Sequence, residues 1–311
     1  MAATLPQQGR AVVAEFGVLR TIIVDSGVTS VPVEASGIIH AADIGAGIVV
    51  SDETYKKRPE LFIMDSTGRI SASAVVTGME TINDIEGIAE DAHGCCYLLA
   101  SQSYNRSGER SDARRLLVRC RRSGQKFTAD KSVSLADRLH DAAFAARTMP
   151  WAEFILGDSS ANAIDIEGIT VMHDTLLLGF KNPKRDGNAV ILAIADPGVM
   201  FDHNRIAPEQ LSLWAAPALR DPATGTQCGV SDLCFRGDVL YGVATGTAAG
   251  EKDIGLFWEY TPSNRSLRVL RSFPGLKPEG IAYNGALSAF CIVFDNGSRH
   301  PSQVMTAKVP Q

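Results

Sequence analysis

The chain has 311 residues, 45% of them apolar and 21% charged, with a net charge of −5. That composition supplies a large core and excludes a disordered chain, and the mild acidity excludes a protein that wraps nucleic acid, which needs a concentrated excess of Lys and Arg. No apolar run marks a membrane span, MAATLPQQGR lacks the pattern of an export signal, and the six cysteines have no metal-type spacing, so the expectation is a cytoplasmic protein with reduced thiols and no nucleic-acid or membrane partner.

The first predicted element is VLRTIIVD at 18–25, a strand with no neighbour in sequence to pair with. A hairpin follows at 34–53 (EASGIIHAADIGAGIVVSDE), then single strands at 60–65 and 70–76. The same order returns with hairpins at 84–103, 163–183, 228–246 and 277–297 and third strands at 114–120, 189–194, 254–260 and 303–309. Each hairpin is a short strand, a tight turn and a second strand rich in β-branched and aromatic residues. Self-similarity on this scale marks a repeat architecture. Four antiparallel strands repeated five times predict an all-β fold, a single five-bladed β-propeller that forms one domain over 1–311. A sixth blade would arise only if 135–149 formed one. The Ala- and Leu-rich helical period of LADRLHDAAFAARTM instead predicts an inserted helix. The last copy has three strands, so the N-terminal strand is expected to close it and remove the exposed edges.

Alignment of the copies places Ser36, Glu86, Glu167, Ser231 and Glu279 at one position near the start of each innermost strand. Five equivalent residues then converge on the channel, three of them carboxylates. Like charges held together raise one another's pKa unless something positive lies between them. An all-oxygen set suits Ca²⁺, with Mg²⁺ the alternative, and offers nothing to zinc. The competing reading is that each Glu accepts backbone amides at a blade junction with no ion. Asp232 lies one place later and either turns toward the ring or caps a turn.

The ends of the second strands give Asp52, Gln102, Lys181, Thr245 and Asp295, with Asn182 and Asn296 beside two of them. Because those strands run antiparallel to the first, these residues share one mouth with the ring. Basic side chains of the mouth loops, Arg106 and Arg115 among them, suit an anionic small molecule; the alternatives are an ordinary solvated rim or a protein partner. His300 is the one histidine placed to act as an acid or base. No GxSxG, HExxH or Walker motif occurs.

The order Ser, Glu, Glu, Ser, Glu resembles the calcium-activated nucleotidases (apyrases), which are five-bladed propellers with an axial calcium. The wording DIEGIAED, SQSYNRSG, RRLLVRC, DIEGIT, GFKNP and GVSDL over 84–246 resembles a bacterial propeller family known only as a domain of unknown function (the 3616 type). Where that family often has Ser-His-Ser, this chain has Ser101-Gln102-Ser103. The resemblance to the apyrases implies calcium at Ser36, Glu86, Glu167, Ser231 and Glu279. The residues themselves give the rest of the expectation, a calcium-dependent hydrolase of a phosphate-containing small molecule. Asp52 or Asp295 serves as base, Lys181 holds negative charge, and Gln102, Arg106, Arg115, Asn182 and Asn296 bind substrate. A non-enzymatic binding propeller, or a lactonase or esterase using the same ion, fits the same residues.

Overall fold

The computed structural model describes residues 14–105, 107–157, 159, 163–250 and 252–310. The chain forms five antiparallel blades around a channel. Blade 1 runs Ala35–Ala41, Ala46–Ser51, Glu60–Met64 and Arg69–Thr77, and blade 2 runs Ile85–Glu90, Cys95–Ala100, Leu116–Ser123 and Lys126–Ser134. Blade 3 is Asp165–Met172, Thr175–Arg185, Asn188–Ala195 and Leu211–Ala215; blade 4 is Gly229–Arg236, Val239–Ala248, Lys252–Thr261 and Ser266–Pro274. Blade 5 supplies Lys277–Asn284, Ala289–Asp295 and Gln303–Lys308 from its own repeat.

The missing fourth strand comes from the N-terminal segment, though not as one piece. Glu15–Phe16 and Arg20–Thr21 pair antiparallel with the last strand of blade 5. Ile23–Val24 then leaves that blade and pairs parallel with Arg69–Ile70 in blade 1. The stretch 18–25 is therefore split between the two blades at the seam. Its ladder bonds tie the chain's beginning to its end and leave neither blade with a bare edge there.

The insertion forms two helices, Leu135–Ala145 and Ala152–Leu156. Leu135, Leu139, Trp151 and Ile155 pack into the core shared by blades 2 and 3, with Leu99, Ile166 and Phe180. Among the described residues no helix is long and apolar enough to cross a membrane. All six cysteines are free thiols.

One irregularity recurs in every inner strand. The register skips a residue between Ala35 and Gly37, Ile85 and Gly87, Ile166 and Gly168, Val230 and Asp232, and Pro278 and Gly280. The skipped residues are Ser36, Glu86, Glu167, Ser231 and Glu279. Each is a β-bulge, the device by which a strand re-aims a side chain. A glycine follows in four blades because the inner strands approach each other closely there: a Cβ on Gly87 would lie 2.6 Å from the Glu167 carbonyl oxygen and 2.7 Å from Ile169 Cγ2. Both neighbours belong to the next blade's inner strand and cannot yield without moving it. Gly87→Ala is accordingly expected to destabilise the fold by about 1–3 kcal/mol, the usual cost of overpacking; denaturant unfolding measures it, and a change below about 0.5 kcal/mol would contradict this packing.

Candidate functional site

The bulges gather carboxylates at one mouth of the channel. Glu86, Glu167 and Glu279 interact electrostatically with one another or with shared neighbours, and Glu34, Asp52, Asp84, Asp165 and Asp295 join the same set. Glu34, Asp84 and Asp165 were not singled out from sequence. Each lies two residues before a ring position, and the repeated Asp-Ile-Glu at 84–86 and 165–167 is the signal that would have found two of them.

Lys181 brings a positive charge into the ring. Its Nζ lies 2.6 Å from Glu167 Oε1 and 3.6 Å from Glu279 Oε1. The geometry follows from a second irregularity: Phe180 pairs with Ile166 and Asn182 with Asp165, so Lys181 and Glu167 both lack a cross-strand partner. Burial alone would lower the Lys181 ammonium, but Glu167, Glu279, Asp165 and Glu86 hold it well above its ordinary value. It stays charged and neutralises the ring's blade 3 and blade 5 members.

The two serines of the ring are engaged within the protein. Ser36 Oγ donates to the Ile85 carbonyl at 2.5 Å, and Ser231 Oγ shares a hydrogen bond of 3.0 Å with Thr245 Oγ1. Five equivalent positions thus meet at the axis, but with Lys181 inside them they do not present five free ligands.

A different trio is open. Asp52, Asp84 and Glu86 each offer a carboxyl oxygen, all within 4.8 Å of one another. Asp84 sits in the left-handed region at φ 61° and donates its amide to the Asp52 carbonyl at 3.2 Å, which fixes the two side by side. Arg114 forms an ion pair with Asp84 and donates to Ser103 Oγ at 3.0 Å. Asp52 Oδ1 is buried with no hydrogen-bond partner among the described residues. Burial, then Glu34, Asp295 and Asp84, push Asp52 up to about 8. Glu86 is raised well above the ordinary carboxylate range by burial, then by Glu167, Asp84 and Asp52. Asp165 is raised to about 6, chiefly by burial and against the pull of Lys181.

The second-strand ring needs one correction. Asp52, Lys181, Thr245 and Asp295 occupy equivalent positions, but in blade 2 the equivalent residue is Ser101, because Ala100 pairs with Ile85, the residue before the bulge. Gln102 is fully buried at φ 63° and turns into the blade. Its Nε2 donates to the Ala100 and Leu116 carbonyls, and its Oε1 accepts from the Ala136 amide at the start of the inserted helix. A side chain so placed anchors the insertion and has nothing left for a substrate. Arg115 is likewise committed, to Asp137 and the Arg110 carbonyl. Asn182 is exposed beside Lys184, and Asn296 donates to the Pro301 carbonyl and Gln303 Oε1. Arg106 lies outside the described residues. A cavity of about 470 Å³ adjoins Asp295 and is lined by Asp253, Lys277, Asn296, His300 and Gln303.

Two outcomes are expected of this charge arrangement. A carboxyl with a higher pKa in the folded than in the unfolded chain binds more protons when folded, so stability falls as pH rises between the two values. With Asp52 at about 8 and Asp165 at about 6, the melting temperature in chelator should fall steadily from about pH 5 to about pH 8; a flat profile would contradict the clustering. Removing one partner of a buried ion pair costs about 3–5 kcal/mol. Because the Lys181 side chain is 29% exposed, Lys181→Ala should cost about 2–3 kcal/mol in urea unfolding.

A family model described as "Protein of unknown function (DUF3616)" matches residues 121–266, a little under half of the chain. No curated protein matches. Among solved structures, an α-L-arabinofuranosidase from Podospora anserina, in complex with cellotriose, is similar at a TM-score of 0.52 and 9% identity, covering 93% of this chain and 95% of that one. The soluble aldose sugar dehydrogenase of Escherichia coli aligns at TM-score 0.49 and 8% identity over 96% of this chain and 100% of its own. The tail fibre of Staphylococcus aureus phage P68 aligns at TM-score 0.44 and 10% identity over 94% of this chain; the chain spans about half of that fibre, 52%. At such identities the likeness concerns the fold alone. The repeat and the closed ring of blades make this chain a β-propeller, and its residues 121–266 are similar to the DUF3616 family.

Proposed function

We propose that this protein is a divalent-metal-dependent hydrolase whose ion, Ca²⁺ in the first place, is held by Asp52, Asp84 and Glu86. The observation that carries the reading is the trio itself: three carboxyl oxygens within 4.8 Å and a buried Asp52 oxygen with no partner among the described residues. An all-carboxylate donor set fits a hard cation, Ca²⁺ or Mg²⁺. The ring positions Ser36, Glu167, Ser231 and Glu279, considered from sequence as ligands, shape the floor of the site, with Lys181 as its fixed positive charge.

When bound, such an ion would supply Lewis-acid polarisation of a substrate oxygen and charge stabilisation in the transition state. The chain's own groups divide the remaining work. Asp165, raised to about 6, and Asp295, raised chiefly by burial, are the carboxylates suited to take a proton from water near neutral pH. Lys181 cannot act as a base, since its neighbours keep it protonated. It offers hydrogen bonds and positive charge at the base of the mouth.

Charge also bears on the substrate. The carboxyl groups of the mouth outnumber its cations Lys181, Arg114 and Lys277, so the field around the axis disfavours an anion and favours a neutral ester or lactone. The phosphate-containing substrate expected from sequence remains a second reading, favoured by Lys277 and His300 in the cavity beside Asp295.

Calorimetric titration of the metal-stripped protein with Ca²⁺ and Mg²⁺ tests the ion. Wild type is expected to bind one Ca²⁺, and Asp52→Asn to bind at least tenfold more weakly, a loss of about 1.4 kcal/mol. Turnover of lactones, carboxylic esters and phosphate esters, assayed with calcium and with chelator, tests the reaction. Calcium binding without turnover of any of them would make the chain a binding propeller with a structural ion; no binding at all would remove the metal reading.

A further inference from the structure

The inner strand of each blade turns one edge to the channel, and an edge strand leaves part of its amides without a sheet acceptor. Ile38, Ile169, Leu233 and Ile281 are equivalent residues, each two places after its blade's bulge. In blade 4 the residue between the bulge and Leu233 is not the glycine of the other four blades but Asp232.

Asp232 is 1% exposed and carries its carboxylate into the channel. Oδ1 accepts from the Leu233 amide at 2.8 Å, and Oδ2 accepts from the Ile281 amide of blade 5 at 2.8 Å. Burial raises its pKa well above the ordinary carboxylate range, and the backbone N–H groups of Ile281, Leu233, Ile169 in blade 3 and Ile38 in blade 1 act against that rise. One carboxyl group therefore accepts amides of blades 4 and 5 and feels those of blades 3 and 1. Among the described residues its hydrogen-bond partners are backbone N–H dipoles and no cationic side chain, which is the chemistry of a backbone anion site.

We propose that the inner-edge amides form an axial anion-binding site, filled in this chain by its own Asp232 carboxylate, and that removal of that side chain opens the site to a small carboxylate such as formate. Glycine stands at the equivalent position of the other four blades, as Gly37, Gly87, Gly168 and Gly280. Asp232 also lies between the acidic mouth and a cavity of about 350 Å³ at the opposite end, whose walls include Ile38, Ile169, Leu233 and Ile281. The inference is independent of the metal reading, since Asp232 is not among the groups that contact Asp52, Asp84 or Glu86.

The test is thermal unfolding of Asp232→Gly in sodium formate, with sodium sulfate at equal ionic strength as control. The variant is expected to melt roughly 5 °C or more below wild type and to regain stability saturably with formate and not with sulfate, while wild type responds to neither beyond the common salt effect. A wild-type melting temperature in Asp232→Gly, or equal responses to formate and sulfate, would overturn the proposal. If Asp232→Gly does not fold, Asp232→Asn decides: its amide turns a donor against the ring of donors, so a lowered melting temperature supports the anion site and an unchanged one overturns it.

Discussion

The bulge near the start of each inner strand is the constraint from which the rest of this molecule follows. A residue skipped by the ladder has no cross-strand neighbour to hold its side chain on a sheet face. Five such residues in five blades turn toward one axis. The glycine after the bulge in four blades lets the strands come close enough for those side chains to meet. Local backbone geometry therefore concentrates charge, and the concentrated charge defines the chemistry available at the mouth.

Concentration has an energetic cost. Buried carboxylates near one another are disfavoured by desolvation and by mutual repulsion, and Asp52, Glu86 and Asp165 are all raised for these reasons. The chain offsets part of that cost with Lys181, whose own bulge in the facing strand brings it against Glu167 and Glu279. At Asp84 it uses Arg114. Among the described residues Asp52 and Glu86 have no cation in ion-pair contact, although Lys181 acts on Glu86 from further away. A scaffold gains nothing from unpaired buried acids, and sites that carry them are where binding or catalysis is expected.

The architecture was legible because hairpins, third strands and the helical insertion each carry their own periodicity, and because the Glu-Gly-Ile repeat marks the bulge directly. The N-terminal segment was legible as a closing strand but not as one split between two blades, since pairing across the seam leaves no trace in local pattern. The site was legible only in part. Ser101 and Gln102 exchanged roles because Ile85 pairs with Ala100, a spacing one residue shorter than that of Ala35 to Ser51 and Pro278 to Phe294 in blades 1 and 5. The approach of Lys181 to Glu167 depends on skipped residues in two facing strands, and Asp232 accepts an amide of blade 5; both are matters of register and packing that an unfolded string does not display. Asp84 and Asp165 were visible all along, two residues before a ring glutamate.

The central claim is that a divalent ion belongs to the Asp52, Asp84 and Glu86 trio while Lys181 occupies the ring between Glu167 and Glu279. Anomalous diffraction from crystals grown in Mn²⁺, a hard cation able to stand in for Ca²⁺ or Mg²⁺, addresses it most directly. The account requires one strong peak within bonding distance of the three carboxylates, with the Lys181–Glu167 contact intact. A peak between Glu167 and Glu279 with Lys181 displaced, or no peak at the mouth, would contradict it.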